Sequence, residues 1–177
     1  MPNHVTNVID APKHVIDFLA SEHAEVDFNK LIPMPNDDDP MFTATKSDFG
    51  NGVVGYAMDG YSPLDWNRQE WGTKWNAYSI ERLSDTSIKF ETAWSHPSPV
   101  ILALSEKFPT ELITVQYADE DLGSNLGEYG IQGGITRTWR EFGDWNDEAT
   151  MEFACQLVHG QSYEEYQKEW YGDEDED

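Results

Sequence analysis

The chain has 177 residues, enough for one well-cored domain and too few for two of ordinary size. Eleven basic against 34 acidic residues give a formal charge of −23, which argues against direct binding to nucleic acid, where phosphate contacts need a basic face. Aromatic residues at 13% exclude a wholly disordered chain, because disordered acidic sequences are poor in them.

His4 to Ile9 reads as a first strand. Asp10-Ala11-Pro12 then reads as a helix start, with Val15, Phe18 and Leu19 as the apolar stripe of a helix running to about His23. From Val26, V-D-F-N-K-L-I-P-M-P-N is expected to be extended and to stop at its two prolines. Residues 36 to 62 are a Gly/Asp-rich stretch with little periodicity. Ser62-Pro63-Leu64-Asp65 has the pattern of a capped helix start, and Gly72 ends that short helix after Trp66 and Trp71. The inserted region therefore spans about 36–72.

From Lys74 the period becomes two, placing Trp75 and Ala77 on one face and Asn76, Tyr78 and Ile80 on the other. Both Trp71 and Trp75 are expected in the core, with Lys74 outward. Ser84-Asp85-Thr86 turns the chain, and Ile88, Phe90, Thr92 and Trp94 line one side of the returning strand. Ser98-Pro99 opens a helix carrying Val100 or Ile101, Leu104 and Phe108, closed by Pro109, and Leu112 to Tyr117 is the next strand. A hairpin follows, Leu126 to Gln132 and Ile135 to Phe142, turned at Gly133-Gly134. The last predicted helix runs from about Asn146 to His159, and residues 164–177 are expected to be a disordered acidic tail.

In order, the elements make an α+β chain with the ferredoxin-like βαββαβ arrangement. One domain, 1–163, is expected, with its ferredoxin-like core at about 1–120, the insertion at about 36–72 and a C-terminal hairpin-plus-helix extension. The opening Met1-Pro2-Asn3-His4 carries no secretory signal, and the single Cys155 can form no internal disulfide. No apolar run nears the roughly 20 residues of a membrane helix. These features lead us to expect a cytoplasmic protein.

Four stretches carry a resemblance: M-P-N-H-V-T-N-V-I, F-N-K-L-I-P-M-P, W-G-T-K-W-N-A and F-E-T-A-W-S-H-P-S-P-V-I-L-A-L-S-E-K-F-P. Together, and in this order over roughly residues 1 to 120, they resemble the YubB-like family with a ferredoxin-like domain, found in bacteriophages and conjugative plasmids. The resemblance implies a ferredoxin-like fold without an iron–sulfur cluster, a mobile-element origin and a host bacterial cytoplasm. It supplies no catalytic residues.

Chemistry is poorly supported by the residues themselves. The histidines 4, 14, 23, 96 and 159 form no i, i+4 pair, and Cys155 has no partner, so no metal site is expected. Asp37-Asp38-Asp39 lacks the register of a calcium loop and reads as solvated. Cys155 lies on an apolar helical stripe, where a thiol is inert. No phosphate cradle or cofactor motif is present. The chain therefore reads as a non-enzyme without cofactors, a carboxylate-based or metal-assisted hydrolase being the remote alternative.

The charge is the better clue. Rows of carboxylates on a rigid scaffold can imitate DNA, which carries a charge every ~1.7 Å, and occupy the basic groove of a nuclease or repressor complex. The candidate partner-binding acids are Asp119, Glu120, Asp121, Glu128, Asp144, Asp147, Glu148, Glu152, Glu164 and Glu165. The expected function is an acidic protein that binds and inhibits a basic, nucleic-acid-binding host complex such as a CRISPR or restriction system. The alternative is a mobile-element interaction or structural protein without an inhibitory role, its acids serving solubility.

Overall fold

The computed structural model describes residues 3–48, 50, 54–57, 59–144 and 146–172. Strand β1 (His4–Asp10) leads into the short helix α1 (Lys13–Phe18), with Pro12 at its N-cap and the buried Val15 and Ile16 on its inner side. The helix ends at Leu19, well before the expected His23. The stretch after Val26 is not extended. Phe28–Lys30 is a 3-10 turn, because the Asp27 side chain accepts from the Asn29 backbone N–H and closes it, with Phe28 buried beneath.

The insertion contains a small hairpin of β2 (Lys46–Asp48) and β3 (Val54–Tyr56). Helix α2 (Pro63–Trp66) begins with a capping box, Ser62 and Asp65 each bonding the other's backbone N–H. A π-type turn over Asn67–Trp71 continues it, and Gly72 stops it at φ 77°, a conformation that suits glycine. An aromatic chain anchors this region: the rings of Trp66, Trp71, Phe28 and Phe90 meet edge to face, each with the next. Trp71 Nε1 also donates to the Ile32 carbonyl at 2.9 Å.

The chain returns as β4 (Tyr78–Ser84) and β5 (Ser87–Ala93), crosses in α3 (Ser98–Lys107) and re-enters the sheet as β6 (Ile113–Asp119). Strands β7 (Gly127–Gln132) and β8 (Ile135–Trp139) form the expected second hairpin. The order is β4-β5-β1-β6-β7-β8, every neighbouring pair antiparallel. The first four strands, with α1 following β1 and α3 following β5, make the ferredoxin-like split βαβ arrangement.

Register decides which side each strand buries. Asn7 pairs with Phe90 and Tyr117, and Ile9 pairs with Ile88 and Val115, so these side chains share one face. Their apolar members form one core with Val15, Ile16, Val100 and Leu104 of α1 and α3. Fully burying each such side chain contributes about 1.5–3 kcal/mol. The opposite face, with Val8 and Ala118, is covered by α4 (Glu148–His159), and Lys89 Nζ donates to the Leu157 carbonyl across that contact.

The C-terminal stretch departs from the expected disordered tail. Residues Tyr163–Tyr171 form α5, opened by a capping box between Ser162 and Glu165. Its Tyr166 ring stacks on His159 at a centroid distance of 4.7 Å. Residues 173–177 of the expected tail lie outside the described residues. No described helix is long and apolar enough to cross a membrane.

Candidate functional site

The structure gathers six of the ten candidate acids into the α4–α5 layer. Residues 144 to 172 hold seven acids and one lysine, and that lysine, Lys168, bonds Glu164 at 2.7 Å. Asp147 caps α4, accepting from the Thr150 N–H and Oγ1. Glu152 ties the helices together, accepting from the Tyr163 N–H at 2.7 Å and from Gln156, and these bonds hold its carboxyl below the usual range. Glu165 is held low in the same way by its bonds from Ser162. Asp144 and Glu148 are exposed. Glu148, Glu152 and Glu164 line one groove between α4 and α5, together with Ser162, Tyr163 and Gln167.

The other four acids stand apart. Asp119 is only 4% exposed, and its carboxylate accepts from Asn3 Nδ2, the Asp121 N–H and Asn125 Nδ2. It ties the segment around Asn3 to the loop after β6, so the expectation that it faces a partner is corrected: it is buried, and three donors converge on it, one from Asn3 far away in sequence and two from its own loop. Glu120 is exposed and accepts from the His4 N–H. Asp121 is exposed and accepts from Ser124 Oγ. Glu128 on β7 pairs with Arg140 at 3.5 Å and accepts from Gln116.

The tryptophan expectation holds by half. Trp71 is buried, whereas Trp75 is 44% exposed. Lys74 does not point freely outward; its Nζ lies 4.6 Å from the Trp75 ring centroid and 4.4 Å from that of Trp94. Trp94, 43% exposed, leaves the β5 alternation because its backbone turns to φ 75°.

A polar network inside the core escaped the sequence reading. His96 Nδ1 lies 2.7 Å from Asn7 Oδ1, and its Nε2 lies 2.7 Å from Tyr129 Oη. Asn7 Nδ2 donates to the Val5 carbonyl and Thr92 Oγ1, so its Oδ1 is the acceptor and Nδ1 of His96 carries the proton. Burial drives the His96 pKa down to about 3, and burial likewise pushes the Tyr129 hydroxyl up. A signal did exist: Asn7 falls inside a buried apolar strand, and a buried amide demands partners.

No group of three His, Cys, Asp or Glu side chains is placed to hold a metal among the described residues. In the Asp37–Asp39 run, Asp37 pairs with Lys46 at 3.6 Å and Asp39 accepts from the Met41 N–H. Cys155 is buried, its thiol pKa raised chiefly by burial and its Sγ 3.6 Å from the Ser162 carbonyl.

Residues 70–161 match a family model described as "Ferredoxin-like domain in Api92-like protein". No curated protein matches the chain. A crystal structure of the protein api92 from Yersinia pseudotuberculosis is similar at 19% sequence identity and a TM-score of 0.37, over 52% of this chain and 32% of that one. This chain thus spans about a third of that protein's length.

Proposed function

The chain belongs to the family of ferredoxin-like domains in Api92-like proteins, and from that premise we propose that it is a non-enzymatic binding protein whose acidic α4–α5 layer docks on a basic, nucleic-acid-binding surface of another protein. The observation that carries this reading is the clustering: Glu148, Glu152, Glu164, Glu165 and Glu169 lie on one helical hairpin, Asp144 and Asp147 lead into it, and the stretch holds a single lysine. Caps and interhelix bonds fix several of these carboxylates in place without neutralising them. A fixed array of like charges loses little freedom on docking, and it attracts a basic partner over a Debye length of about 8–10 Å.

The buried groups support a non-catalytic role. His96 is held neutral and is a weak base, while Tyr129 and Cys155 are held in their protonated forms. The finer reading makes the partner a host-defence complex in the bacterial cytoplasm, occupied by DNA mimicry. It draws on the resemblance to phage and plasmid proteins together with this charge.

The test is capture of a partner from a bacterial lysate by the tagged full chain, repeated at about 50 mM and about 500 mM salt. A second arm adds competing double-stranded DNA, and a third uses the Glu148→Lys, Glu164→Lys, Glu169→Lys variant. A partner lost at high salt, displaced by DNA and not captured by the variant is expected. Capture insensitive to salt and to charge reversal would overturn the reading.

A further inference from the structure

The helix layer is narrower than the sheet it covers. Helices α1 and α3 pack over the four-strand core, while β7 and β8 widen the sheet beyond α3. The uncovered step between α3 and these strands is a cleft of about 600 Å³, within the range of small-molecule sites. Leu102 of α3 forms one wall, and Trp139 of β8, 73% exposed, stands at the rim.

Tyr129, Tyr117 and His96 also line this cleft. The His96 ring stacks on Tyr117 at 4.2 Å between centroids, with 12° between planes. Gly127 admits the Tyr117 ring across β7, since a Cβ there would lie 2.5 Å from its Cε1. Because His96 Nδ1 donates to Asn7, its Nε2 accepts and the Tyr129 hydroxyl is the donor. The Tyr129 oxygen keeps its lone pairs unused. Tyr117 Oη has no hydrogen-bond partner among the described residues and is open to solvent. One phenol therefore offers an acceptor and its neighbour a free donor.

The charges around the cleft compensate each other. Glu128 and Arg140, which also line it, pair at 3.5 Å, and His96 is neutral. No unpaired cation is left there to recognise an anion, and the formal charge of −23 repels one. We propose that this cleft binds an uncharged planar heteroaromatic ring carrying both a hydrogen-bond donor and an acceptor, the chemistry of a nucleobase presented as a free base or nucleoside and not as a nucleotide. The ring lies against Trp139 and the aromatic floor, its donor meets Tyr129 Oη, and its acceptor takes the Tyr117 hydroxyl proton. Phe153 of α4 touches the cleft-lining Phe142 and Arg140, but no acid of the α4–α5 layer lines the cleft, so this inference stands independently of the docking surface.

The test is calorimetric titration of the full chain with adenosine, guanosine, cytidine and uridine. The corresponding 5′-monophosphates and benzene are the comparison probes. At least one nucleoside is expected to bind, its monophosphate about tenfold or more weaker through repulsion, and benzene without measurable affinity. Tyr129→Phe is expected to weaken the nucleoside about tenfold. Leu102→Trp is expected to block the cleft from an exposed helix position, with an unchanged thermal midpoint showing that the variant folds. No binding of any nucleoside overturns the inference. Binding unchanged in Leu102→Trp overturns its location, and benzene or monophosphate binding as tightly as the nucleoside overturns its chemistry.

Discussion

The imidazole of His96 lies flat on the ring of Tyr117, centroids 4.2 Å apart, buried at the floor of the cleft with its two nitrogens on Asn7 and Tyr129. Burial lowers its pKa from the ordinary 6.5 to about 3. The folded state therefore refuses a proton that the unfolded chain accepts below pH 6.5. Stability is retained above that pH and falls as pH drops from about 6.5 toward 3, by at most about 1.4 kcal/mol per unit. Asp17, Asp65, Glu152 and Glu165, whose pKa values are lowered from 3.8 or 4.5, add losses of the same sign at lower pH. Urea unfolding between about pH 6.5 and 4.5 thus reports chiefly on His96, and His96→Gln should flatten the slope there. An equally steep variant would refute this assignment.

Asp119 is a structural carboxylate. Replacing it with Asn turns one oxygen into a donor, facing either Asn3 Nδ2 and the Asp121 N–H or Asn125 Nδ2, and should cost about 1–3 kcal/mol of stability. Glu148→Gln, at an exposed position on α4, should stay within about 0.5 kcal/mol. Chemical denaturation of both variants checks the contrast, and equal stability would show that Asp119 is a surface charge after all.

Trp94 holds φ 75° between the cations of Lys74 and Arg68, the latter 5.4 Å from its ring centroid. Trp94→Ala and Trp94→Gly lose the same ring contacts, but glycine tolerates this backbone. The glycine variant should be more stable than the alanine variant by about 1 kcal/mol. The reverse ranking of urea midpoints would contradict the left-handed conformation.

Ser162→Ala removes the capping box that starts α5. The expected loss is about 1 kcal/mol, with faster hydrogen exchange at the amides of Glu165 and Tyr166 and lower helical circular dichroism. Unaltered exchange at these amides would show that packing on α4 alone holds the helix.

Cys155 should resist a thiol reagent in the native protein and react fully after unfolding, since it is buried and its pKa is raised. Rapid native labelling would mean that α4 and α5 separate readily.

Much of the fold was legible because it is locally encoded. Alternation in H-V-T-N-V-I, the Ser62 and Ser98-Pro99 helix starts, and Gly133-Gly134 each act on their neighbours, so the β-α-β-β-α-β order and the second hairpin emerged from them. Residues 26–36 misled, because their prolines suggest extension while one Asp27 bond closes a 3-10 turn. Helix α5 misled too, since its acidic composition looks like a tail, whereas Ser162 and the His159–Tyr166 stack order it. Trp71 and Trp75 are equivalent as letters, and packing buried one and left the other against Lys74.

Composition and residues a few places apart specified the core βαββαβ elements, their order and the acidic charge. The burial of Asp119, the gathering of six candidate acids around α4 and α5, and the cleft beside α3 come from tertiary packing. Those features join Asn3 to Asp119, Asn7 to His96, and His96 to Tyr129. Contacts between residues so far apart leave no periodicity in the chain; they arise when strand register brings their side chains to one face.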